Sequence, residues 1–133
     1  FIKGVAAVAP YDLAAVFQNK MEKDLFLMIE IEGQCLKIKP ASAVFEDAQK
    51  HYNELSVFET HNHLKDRNVL IVSARLDTVA PPHLMHLPIA EQLQKDNGGG
   101  SIKHISINTN HSFGGNRTDL AFAIGNWIGE FVG

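Results

Sequence analysis

The chain has 133 residues, of which 45% are hydrophobic, enough for one globular domain with a real core. Its 12 basic and 15 acidic side chains give a net charge of -3 with no basic cluster longer than a pair, which argues against nucleic-acid and anionic-membrane partners. No apolar run reaches the roughly 20 residues that span a bilayer, the N-terminus lacks the regions of a signal peptide, and the single Cys35 fits a reducing, cytoplasmic setting.

The opening "FIKGVAAVAP" has no Met and enters an apolar run within a few residues, so we expect a fragment of a longer protein. Gly4 to Ala9 is small, apolar and closed by Pro10, the pattern of a parallel strand buried on both faces. From Asp12, an N-cap residue, Leu13, Phe17, Met21, Leu25 and Met28 recur at helical spacing up to Gly33, predicting a helix broken once. After "CLKIK" and Pro40, Phe45, Ala48, Tyr52 and Leu55 repeat the stripe and predict a second helix.

"NVLIVSA" at 68 to 74 and "IKHISIN" at 102 to 108 read as two further buried strands. Between them a helix starts near Leu87, with Pro88 in its first turn, and stops at "NGGG". The last run places Leu120, Ile124, Trp127, Ile128 and Phe131 on one helical face, with Asp119 near the positive end of the helix dipole. The order predicts an α/β fold: a parallel sheet of about three strands with flanking helices and right-handed crossovers.

In open α/β sheets, sites form just beyond the carboxyl ends of the strands. Two such loops carry Asp77, in "RLDTVAPP", and His111, in "NTNHSFGGNR". Adjacent parallel strands lie about 4.8 Å apart, so the two side chains can meet. An aspartate that accepts an imidazole N–H fixes the tautomer of a general base and stabilises its imidazolium. Either residue alone reads as a solvated loop side chain; after consecutive strands they read as a dyad.

"NVLIVSARLDTVAPP" followed by a helix and "HISINTNHSFGGNRTDLAFAIGNWI" resembles the C-terminal part of an α/β-hydrolase, over Asn68 to Val132. "IKGVAAVAPYDL" is similar to the strand after the nucleophile helix in esterase-like and peptidase-like members. The resemblance implies one C-terminal domain portion over residues 1–133 with a cap-like helical insertion at 11–67. It implies Asp77 as the acid and His111 as the base of a Ser, Asp, His triad, in the family's chain order. It also implies a small-molecule ester or peptide-type substrate and no cofactor or metal. There is no G-x-S-x-G elbow around Ser42, Ser56, Ser73, Ser101, Ser106 or Ser112, so the nucleophile and the oxyanion hole are expected upstream of Phe1.

His61 and His63 in "THNHL" form a weaker metal candidate, set against an exposed loop, because no ligand follows at suitable spacing. His83 and His86 are expected on a pocket rim, and "NGGG" reads as a turn. Cys35 and Trp127 read as core. Phe17, Phe26 and Met28 suggest apolar walls for an acyl group, although such stripes more often mark packing. Two other functions stay open: a non-catalytic, truncated domain serving in association, and a metal-dependent hydrolase using His61, His63 and Asp77. The uncharged edge of "GVAAVA" predicts a homo-oligomer, through pairing at Gly4 to Ala9 or exchange of an element.

Overall fold

Three short runs of aliphatic residues become three strands. In the computed structural model, which describes residues 3–34, 40–96 and 98–132, β1 (Gly4–Val8), β2 (Asn68–Ala74) and β3 (Ile102–Ile107) form one parallel sheet in the order β1-β2-β3. Ala6 lies opposite Leu70, and Ser73 opposite Ser106. β2 is central and is buried from Val69 to Ala74, which is why it reads as a continuous apolar run rather than an alternating one. β1 turns off at Ala9, whose backbone takes a φ of 42° while its N–H still donates to the Val72 carbonyl at 2.8 Å.

Side-chain alternation along β2 divides the core into two layers. Leu70, Val72 and Ala74 join Ala9, Phe113 and Trp127 on one face. The closing helix α7 (Arg117–Val132) covers that face through Leu120, Ile124 and Trp127, as the stripe predicts, but Ile128 on the same stripe is exposed. The Asn116 amide donates to Asp119 in the first turn of α7. Gly4 is needed beneath the indole: a Cβ there would sit 2.8 Å from Trp127 Cη2.

On the other face lies the β2-to-β3 crossover. It contains α5 (Pro82–Met85) and α6 (Leu87–Asp96), with Met85, Ile89, Ala90 and Leu93 buried. The segment before Leu87 is thus itself a helical turn, begun by Pro82 at a position where the missing N–H costs nothing. The glycines after α6 make a close approach as well as a turn, since a Cβ on Gly100 would fall 1.9 Å from the Arg67 carbonyl oxygen.

Residues Phe1–Tyr11 and Phe58–Gly133 form one compact unit, and Asp12–Val57 a second. The inserted unit is shorter than the 11–67 expected. The 3₁₀ turn Phe58–Thr60 and the next short helix belong with the sheet, where His61 bonds Asp96 of α6. The inserted unit holds α1 (Leu13–Gln18), α2 (Glu22–Gly33) and α3 (Ala41–His51). Asp12 Oδ1 accepts from Ala14 N at 2.9 Å, as an N-cap does. The predicted break falls at Lys20, in the left-handed region with φ 58°.

Phe17 packs on Phe45 and Tyr52, and Phe26 meets Phe45 edge-on at 5.6 Å. Phe17 and Phe26 therefore pack against other rings of their own unit. Leu55 lies beyond α3 and is exposed. Cys35 with the rest of "CLKIK", Asn97 of "NGGG" and the side chain of Phe131 lie outside the described residues.

Candidate active site

The loops that leave the carboxyl ends of β2 and β3 stay paired for two more residues. Arg75 N donates to the Ile107 carbonyl and Leu76 N to that of Thr109, which holds the two loops side by side. Across this junction His111 Nδ1 and Asp77 Oδ2 are 2.8 Å apart, inside the 3.2 Å limit of a hydrogen bond. The aspartate side chain is fully buried, and the imidazole is 40% exposed.

Each partner is fixed by its own loop. Asp77 Oδ1 accepts from Val79 N at 2.9 Å and Ala80 N at 2.8 Å. One oxygen is thus held by the backbone and the other is left for the imidazole. The His111 loop is closed by Asn110, whose Oδ1 accepts from Gly114 N and from the Ser112 hydroxyl. Phe113 then dips into the core, 4% exposed, with a left-handed φ of 54°. That conformation is costly for an aromatic residue and persists only where packing imposes it. Nδ1 of His111 donates to the aspartate, leaving Nε2 as the nitrogen with a lone pair. Ser112, next in sequence, turns its hydroxyl to Asn110.

A second polar cluster lies in the same unit. Ser73 is fully buried in β2, and its Oγ lies 2.8 Å from His104 Nε2 and 3.0 Å from His86 Nδ1. His86 is completely buried, so it is not on a pocket rim; His83, by contrast, is exposed beside a concavity. Burial pushes His86 below the ordinary histidine pKa, and the Asp77 carboxylate and the Pro10 carbonyl pull partly the other way. Burial lowers His104 as well.

Ser73 has one hydroxyl proton and two imidazole neighbours, so one ring must donate to Oγ while the other accepts from it. Nε2 of His86 makes no hydrogen bond of good geometry among the described residues, yet the Pro10 carbonyl acts on the ring. A carbonyl can only accept. The assignment that satisfies most groups turns the His86 N–H toward Pro10, sends the Ser73 proton to His86 Nδ1 and has His104 Nε2–H donate to Ser73.

His61, His63 and Asp77 do not converge. The two histidines lie on α4 (His61–Leu64), a helix rather than a strand or loop, ahead of β2, while Asp77 follows the far end of that seven-residue strand. Such a strand is about 20 Å long at 3.3 Å per residue. His61 is instead bound to Asp96 at 2.7 Å, and this bond holds the Asp96 carboxyl below its ordinary range. Among the described residues no three His, Cys, Asp or Glu side chains gather as a metal site would require, and no helix is long and apolar enough to cross a membrane.

The geometry defines a mixed α/β protein with a three-stranded parallel sheet flanked by helices and an Asp–His pair at the carboxyl end of that sheet. Comparisons with known protein families, curated proteins and solved structures find no match.

Proposed function

We propose that Asp77 and His111 are the acid and base of a serine-type acyl hydrolase with the α/β-hydrolase arrangement, acting on an ester or peptide-type bond. The observation that carries this reading is the 2.8 Å contact from a buried, backbone-locked carboxylate to a half-exposed imidazole. In this mechanism Nε2 of His111 takes the proton of a serine hydroxyl as that oxygen attacks the acyl carbon. The imidazolium, stabilised by Asp77, gives the proton to the leaving group, and water deacylates the enzyme by the same route. The serine comes from outside these 133 residues, which contain no G-x-S-x-G turn.

Labelling tests the reading. The 133-residue chain should not react with a fluorophosphonate probe, whereas a polypeptide that joins it to a segment bearing the elbow should. His111→Ala should abolish that labelling. Labelling of the 133-residue chain on Ser112 would overturn the assignment.

One observation favours a second reading, association without catalysis. β1 is an edge strand among the described residues, and α7 exposes Phe122 and Ile128. Open strand edges and apolar side chains drive assembly.

A further inference from the structure

A concavity of about 270 Å³ opens beside the buried serine, lined by Ser73 and Arg75 of the β2 end, His104 and Ser106 of β3, and Pro82, His83 and Leu87 of the α5–α6 junction. Three of these seven side chains are nitrogen bases, two are hydroxyls and none is a carboxylate. A guanidinium facing a carboxylate-free hollow is a geometry suited to a planar or tetrahedral oxyanion. Arg75 is exposed and makes no ion pair with the described residues. The acid close to it in sequence, Asp77, is occupied by His111 and two backbone N–H groups.

The cross-strand register builds this surface. Ser73 faces Ser106, and Ile71 faces His104, so the polar side chains of β2 and β3 emerge together on one face. We propose that this concavity binds a small oxyanion, a phosphate or carboxylate group, with Arg75 as its permanent cation and His104 as a second cation that forms on binding.

The chain His104–Ser73–His86 sets the proton linkage. His104 spends Nε2–H on Ser73, and its Nδ1 has no partner among the described residues. An anion in the hollow would favour protonation there. Around His104 stand Ser73 with His86 behind it, and Arg75 and His83 across the hollow. These neighbours are neutral or basic, so without an anion nothing on these sides rewards the charge. Burial lowers the His104 pKa in keeping with this. Binding of acetate, which stays anionic over this range, should therefore take up a proton and tighten as pH falls from 7.5 to 5.5.

The test follows the histidine ring resonances of the full 133-residue chain while inorganic phosphate, and separately acetate, is added at pH 5.5, 6.5 and 7.5. Expected are a saturable shift of the His104 signal, tighter acetate binding at pH 5.5 than at 7.5, and binding of either anion weakened by about tenfold or more in Arg75→Gln, from the loss of a charge-assisted contact. His104→Gln, which keeps an amide donor for Ser73, should still bind and lose the pH dependence. Preference for phosphate over acetate, or the reverse, identifies the headgroup. Anion binding is read on the 133-residue chain without a serine nucleophile, so its failure leaves the hydrolase assignment standing, and a failure of labelling leaves the anion site standing. No saturable shift at any pH, or one unchanged by Arg75→Gln, would overturn the proposal.

Discussion

Asp77 holds His111 with one carboxylate oxygen and its own loop with the other. The two duties can be separated by mutation. Asp77→Asn keeps an oxygen for Val79 and Ala80 N–H but turns an amide N–H toward the imidazole, which disfavours the tautomer that a base requires. On the proposed hydrolase reading, kcat of a polypeptide that joins this chain to the serine segment should fall by about 10⁴-fold with stability nearly intact. Asp77→Ala loses the turn as well and should cost a further 1–3 kcal/mol or so of stability. Ester turnover measured beside urea denaturation checks both; equal stability losses in the two variants would contradict the division of labour.

Phe113 offers an inverted glycine effect. Removing its buried ring should cost about 3–5 kcal/mol. Because its backbone is left-handed at φ 54°, Phe113→Gly should be more stable than Phe113→Ala by about 1 kcal/mol. Denaturation midpoints of the pair decide the matter, and Ala at or above Gly would mean that the loop relaxes to an ordinary conformation.

The buried His86 and the partly buried His104 predict acid sensitivity. Their folded pKa values lie below the ordinary histidine value of about 6.5. As pH falls below that value, the unfolded chain takes up protons that the folded state refuses, so stability declines. The decline continues until the folded rings also titrate; above about pH 7 these groups contribute nothing to the slope. Urea denaturation between pH 8 and 5 should show the loss, with a shallower slope in His104→Gln. A wild-type stability that is flat or rises on acidification across this window would refute it.

Gly4 and Trp127 give a packing test. A methyl group on Gly4 would lie 2.8 Å from the indole and 3.0 Å from the Asn68 carbonyl oxygen. Gly4→Ala should thus cost about 1–3 kcal/mol through overpacking. Gly99→Ala, where a Cβ meets nothing within 4 Å among the described residues, should change stability by less than about 0.5 kcal/mol. Thermal unfolding of the two variants provides the comparison, and equal effects would mean that the indole moves aside.

The open edge of β1 leads us to propose a dimer or larger assembly at tens of micromolar. Sedimentation provides the check: a monodisperse monomer with cooperative unfolding would exclude edge pairing at Gly4 to Ala9.

The sequence by itself determined the three strands, a single break in the helical stretch from Leu13 to Gly33, the crossover and the two loops that carry Asp77 and His111. These depend on local signals: apolar runs, helical spacing, proline positions and the order of strands. The contact between Asp77 and His111 was legible because parallel strands bring successive carboxyl ends together. Only the tertiary structure decided which polar residues inside the elements find one another. Ser73 and His104 were not singled out as a pair by the sequence, although a polar residue within a strand that packs against other elements must be satisfied. That His86 is their buried partner, rather than a rim residue, depends on how α5 sits against the sheet. Likewise His61 was separated from Asp77 and given to Asp96 by the length of β2. Spacing along a chain specifies which face a side chain occupies; its partner on that face is set by packing between elements far apart in sequence.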